Sequence, residues 1–149
     1  MKTHVEVESG EGFIKQVEMV DKDGHTSLMI AAKAGDLEAV SALIDRGASL
    51  EARSNKGKTA LHYAAAHGQA EVVRLLLGNG AKVDPRDRDG FTPLMLSANY
   101  GCDETSEILL NNGADPMAMS YSGTTALGYA QNNRHANTVG ILMGTLRSH

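Results

Sequence analysis

The chain reads as an all-α repeat solenoid, and three observations predict it. Four glycines, Gly24, Gly57, Gly90 and Gly123, stand 33 residues apart. Each opens nearly the same phrase: Gly24-His25-Thr26-Ser27-Leu28, Gly57-Lys58-Thr59-Ala60-Leu61, Gly90-Phe91-Thr92-Pro93-Leu94 and Gly123-Thr124-Thr125-Ala126-Leu127. The rest of each copy keeps that register, with small pairs (Ala31-Ala32, Ala64-Ala65, Ser97-Ala98), a second glycine (Gly35, Gly68, Gly101), a leucine (Leu43, Leu76, Leu109, Leu142) and a third glycine (Gly47, Gly80, Gly113). A period in this range marks stacked repeats. Such an array buries its apolar flanks against its own neighbours and presents a long surface instead of a closed cavity.

The elements follow in order. Residues 1–19 form a leader, which either folds Phe13, Ile14, Val17 and Met19 over the open face of the first repeat or stays disordered. Residues 20–149 form the repeat domain, with copies at about 21–53, 54–86, 87–119 and 120–149. Asp21-Lys22-Asp23-Gly24 and Asp87-Arg88-Asp89-Gly90 have the Asp-first, Gly-last pattern of type I turns. The threonine two residues after each leading glycine can cap a helix, its hydroxyl accepting from a free first-turn N–H. Pro93 suits the first helical position, where its missing donor costs nothing. A short helix then runs to the second glycine, a left-handed stop. A second helix follows over 36–46, 69–79 and 103–112, with apolar residues at three- and four-residue spacing, as in Leu37, Val40, Leu43 and Ile44.

The last copy departs from the others. Arg134 replaces the stop glycine, and Gly140 and Gly144 are expected to interrupt its second helix, each costing about 1 kcal/mol against alanine. Such a copy reads as a cap or a fraying end, unless another chain covers Ile141, Leu142 and Met143.

On these residues the chain resembles the ankyrin-repeat family, whose signature is Thr-Pro-Leu-His-x-Ala. The nearest local match is Thr59-Ala60-Leu61-His62-Tyr63-Ala64, and the likeness runs from about Val20 to the C-terminus. Met29, Met95 and Gly128 stand where the signature has histidine, which reduces hydrogen bonding between repeats. The resemblance implies helix-turn-helix units joined by β-hairpin-type loops. It also implies a partner bound on the concave side, by turn tips and the exposed face of each first helix.

Composition narrows the function classes. The 149 residues carry a formal charge of −4, against a basic-stripe nucleic-acid binder. One cysteine, Cys102, excludes an intramolecular disulfide and suits a reducing compartment. No apolar run approaches the roughly 18 residues of a membrane span. Met1 to Glu8 alternates apolar and acidic residues and lacks a signal-peptide centre. A cytoplasmic or nuclear protein is expected.

Catalytic and metal chemistry finds no constellation. His62 and His67 are five apart and share no helix face, with no glutamate placed as a zinc protease needs. His62 is expected to support the helix start through Thr59 or to bond a neighbouring repeat. Cys102 has no companion motif and reads as a small packed side chain. Gly10-Glu11-Gly12 begins like a dinucleotide loop, but the third glycine would fall at Lys15. Asp21 with Asp23, and Asp87 with Asp89, are explained by their turns. No catalytic residue, cofactor or metal is expected.

The candidate contacts lie at the groove positions that the resemblance supplies. They are Lys22, His25 and Lys33 in the first copy, Lys56, Lys58 and His67 in the second, Arg88, Phe91 and Tyr100 in the third, and Tyr121 in the fourth. This groove is basic in its first half and aromatic in its second, and aromatic and arginine side chains dominate interface hot spots. The expected partner is a protein segment with acidic residues and an apolar anchor, bound by a monomer for which end-to-end association is also open. The function expected is a non-catalytic interaction module, acting as scaffold, adaptor or inhibitor. The alternative is a regulatory subunit or fragment of a larger enzyme or channel assembly.

Overall fold

A computed structural model describes residues 19–148, so the expectations for residues 1–18 lie outside it. Among the described residues four helical hairpins follow one another. The inner helices are α1 (Ser27–Ala34), α3 (Ala60–Ala66), α5 (Pro93–Asn99) and α7 (Ala126–Asn132). The outer helices are α2 (Leu37–Asp45), α4 (Ala70–Gly78), α6 (Asp103–Asn111) and α8 (Ala136–Arg147). Each inner helix packs on the inner helix of the next copy and on its own outer partner. Among the described residues extended pairing is limited to two single bridges, Val20 with Thr26 and Met119 with Thr125.

Local chemistry starts each helix where the sequence predicts. Thr26, Thr59, Thr92 and Thr125 accept from the amides of Met29, His62, Met95 and Gly128 at 3.2–3.4 Å. Pro93 occupies the first turn of α5. Before each threonine a tight hairpin closes: Gly24, Gly57, Gly90 and Gly123 donate to Asp21, Ser54, Asp87 and Ser120 at 2.8–3.0 Å. Adjacent hairpins are then tied together by backbone bonds, Asn55 N to Asp23 O, Arg88 N to Lys56 O and Tyr121 N to Asp89 O, at 3.0–3.1 Å. Gly90 is required at such a tie, because a Cβ there would lie 2.7 Å from the Tyr121 backbone nitrogen.

The core runs along the seam between inner and outer helices. Leu28, Leu61 and Leu94 from the inner row meet Val40, Val73, Leu76, Leu109 and Leu142 from the outer row, all at most 1% exposed. The third repeat places a polar pair in this seam. Ser97 replaces the alanine of other copies and Ser106 replaces the valine, and the two hydroxyls lie 2.8 Å apart. Each hydroxyl also lies within reach of a carbonyl, Leu94 O for Ser97 and Cys102 O for Ser106. Their two protons serve two of these three contacts, so each hydroxyl still has a partner on burial.

The last repeat corrects one expectation. Gly140 and Gly144 do not interrupt the second helix; α8 runs unbroken for 12 residues, the longest helix described. Burial of Thr138 and Leu142 against the third repeat outweighs the glycine propensity. Arg134 takes the stop position at φ 61°, the one non-glycine residue with positive φ among those described. Its main chain donates to Gln131 O at 3.1 Å, as Gly101 donates to Ala98 O at 3.2 Å.

Candidate functional site

The hairpin tips and the ends of the inner helices sort the ten candidate contacts into two groups. Lys22, Lys33, Lys56, His67, Arg88, Tyr100 and Tyr121 are exposed. The two tyrosines are the more prominent, with 59% of Tyr100 and 71% of Tyr121 accessible. His67 caps the end of α3, and Tyr100 the end of α5. The site brings Lys33 close enough to His67 to act on its titration. Partial burial, and then the lysine charge, lower the His67 pKa from the usual imidazole value.

The other three, His25, Lys58 and Phe91, are partly buried and already in use within the array. Each directly follows a leading glycine, and each turns toward the next repeat. The His25 ring lies 5.3 Å from the Tyr63 ring edge-on, with Nε2 3.1 Å from the phenol oxygen. Phe91 packs on Tyr129 with ring centroids 4.9 Å apart. Lys58 reaches Asp87 at 2.6 Å, where the aspartate side chain is 1% exposed. Burial pushes the Asp87 carboxyl up, but the Lys58 ammonium and the N–H groups of Phe91 and Asp89 outweigh it, leaving its pKa below the ordinary value.

The repeat junction behind this face is built on His62, fully buried at the start of α3. Its Nε2 lies 2.8 Å from the Phe91 carbonyl. A carbonyl can only accept, so Nε2 carries the proton and Nδ1 is free to accept from the Thr59 N–H at 3.0 Å. Both expected bonds of His62, to Thr59 and to a neighbouring repeat, therefore occur together. Burial is the main cause lowering its pKa to about 4, so the ring is neutral at neutral pH.

Several contributors lie outside the ten candidates. Arg53 donates through Nη1 to Gly57 O and to Arg86 O, and Arg86 repeats the pattern on Gly90 O and Met119 O. These two staples stand one period apart, a signal visible in the sequence. Ile30 on α1 is 53% exposed. Its counterparts Tyr63 and Tyr129 are each covered by a residue of the preceding hairpin, and no such cover reaches Ile30 among the described residues.

Nucleophilic and metal chemistry gain little support. The Cys102 thiol is partly buried, and burial, then the Asp103 charge, push its pKa up, away from a reactive thiolate. Among the described residues one group, Asp21, Asp23 and His25, is close enough to share a cation. The Asp21 carboxylate already accepts from the N–H groups of Asp23 and His25 at 2.9 and 2.8 Å and meets the His25 ring at 3.1 Å. The turn accounts for the cluster. Among the described residues no helix is long and apolar enough to cross a membrane.

A family model described as ankyrin repeats (3 copies) matches residues 6–87 and 79–147. The first match starts ahead of the first leading glycine, and the two matches overlap at residues 79–87. No curated protein matches the chain.

Proposed function

The chain belongs to the ankyrin-repeat family, whose members serve in general as protein–protein interaction modules without catalysis, and from that premise we propose that its concave face binds an acidic protein segment carrying an apolar anchor. The observation that supports this reading is the exposure of cations and tyrosines at the hairpin tips and inner-helix ends, against two exposed aspartates, Asp23 and Asp89, at the same tips. Lys22, Lys33, Lys56 and Arg88 are exposed there, and Tyr100 and Tyr121 are among the most exposed large apolar side chains described. The cations steer an acidic chain toward the face, and the tyrosines offer rigid, amphipathic surface with little entropy to lose. Lys58 and Phe91 act on the same face indirectly, by holding the hairpins in line.

Affinity purification with the whole chain, repeated with Lys22→Glu/Lys56→Glu and with Tyr100→Ala/Tyr121→Ala, tests this. Each double variant is expected to weaken the recovered partner by about tenfold or more, a change of 1.4 kcal/mol, with helical content unchanged. Undiminished binding by both variants would remove the proposal.

A further inference from the structure

On the opposite side of the repeats, the outer helices α6 and α8 leave a groove of about 490 Å³. Ile108 and Ile141 contribute apolar surface, and Glu104, Glu107 and Arg74 are among its charged lining. The period explains why it opens there. Gly140 occupies the place of Ser41, Arg74 and Glu107 in earlier copies, and Gly144 the place of Asp45, Gly78 and Asn111. Where the adjoining third copy projects Glu107 and Asn111, α8 projects no side chain. The two glycines lie one turn apart on one face of α8, so a neighbouring backbone can approach closely.

Nothing within the described residues requires glycine at either place. A Cβ added at Gly140 or Gly144 would meet no atom within 4 Å, and neither position has positive φ. The helix thus bears the propensity cost of two glycines with no packing return from its own chain.

Electrostatics identify the kind of occupant. Arg74 is engaged by Glu71 at 2.6 Å and by Glu104 at 3.3 Å, while exposed Glu107 has no ion-pair partner among the described residues. The lining also includes the last residue of α6, Asn111, and Ser148, which caps α8. Both helix C-termini, the negative poles of their dipoles, therefore border the groove; Arg147 in the last turn of α8 offsets one, and the α6 end favours a cation. The leader is a poor match, since residues 1–18 hold four glutamates against two lysines. A second copy carries a net charge of −4 and is repelled as a whole. The geometry points to a second docking site, separate from the concave face, in which a basic amphipathic helix of another protein lays an apolar side chain between Ile108 and Ile141 and a lysine or arginine against Glu107.

The test uses the whole ¹⁵N-labelled chain and two alanine-based helical peptides of about 16 residues, one with a Leu-and-Lys face and one with glutamate in place of each lysine. The lysine peptide is expected to bind with a Kd below about 1 mM and to shift the amides of Ile108, Gly140, Ile141 and Gly144. The glutamate peptide should bind at least about tenfold more weakly at this site, as should the lysine peptide to Glu107→Lys or to Gly140→Leu/Gly144→Leu. Gly140→Ala/Gly144→Ala, which fills less of the groove, guards against misfolding: it should melt higher than the parent yet bind the lysine peptide less well. The proposal is overturned by equal binding of both peptides, by shifts confined to Tyr100 and Tyr121, by no shift at the two glycines, or by self-association of the free chain that the leucine pair abolishes.

Discussion

The second and fourth repeats share one register and differ in how they are held. In the second, α4 has α2 on one side and α6 on the other, and the junction to the third repeat carries the His62 bond, the Lys58–Asp87 pair and the Arg53 staple. In the fourth, α8 rests on α6 and α7, and Gly140 stands where the second repeat has Arg74, while Gly144 matches its Gly78. Its links to the third repeat include the His135 bond to Asn99 O and the Thr138 bond to Asp103. The comparison teaches that a side chain's worth depends on its place in the stack. Leu76 and Leu142 are both fully enclosed, but the first has a repeat on either side of its own and the second a repeat on one side only.

The sharpest way to break this contrast is to truncate the shared leucine. Leu76 and Leu142 are both fully buried. Leu76→Ala is expected to cost about 4 kcal/mol, and Leu142→Ala about 2, because a one-sided site can collapse around the deletion. Urea unfolding of both variants checks the difference, and equal losses would contradict it.

Acid should then loosen the middle. His62 is held neutral in the fold with a pKa of about 4, while the unfolded chain takes up that proton near 6.5. Between those values the unfolded state binds more protons, so stability falls as pH falls through the window. The loss is about 3 kcal/mol in total, of which little is seen at pH 7. Denaturation midpoints measured from pH 7 to pH 4 should show this slope in the parent and a shallower one in His62→Ala, where His67, also lowered, still contributes.

The smallest effects belong to the fourth repeat, and they are gains. Gly140→Ala and Gly144→Ala have open space for the added methyl and should each stabilise by up to about 1 kcal/mol. Arg134→Gly relieves a left-handed arginine and should add somewhat less than about 1 kcal/mol. Melting curves of the three variants read the direction; a loss in any of them would mean that the end is packed more tightly than described.

Most of the fold was legible because each signal acts over a few residues. Asp21 closes its own turn, Thr59 caps its own helix and Gly68 stops it, so a count along one copy finds them. The use of His25, Lys58 and Phe91 was not legible in that way. Each follows its turn glycine, as Thr124 does, but its side chain is directed by the hairpin onto the next copy, and only the stacked geometry reveals the contact. The continuity of α8 was hidden for a related reason. Two glycines argue locally against a helix, and burial of Thr138 and Leu142 against the third repeat overrides them. The free tips, Lys22, Lys56, Arg88 and Tyr121, remain where periodic counting puts them.

Native-state hydrogen exchange tests most directly whether the middle of the stack is firm and its end yielding. The amides of α3 and α5 should exchange only through global unfolding, and those of α8 through a local opening of lower free energy. Protection of α8 equal to that of α3 would contradict the account.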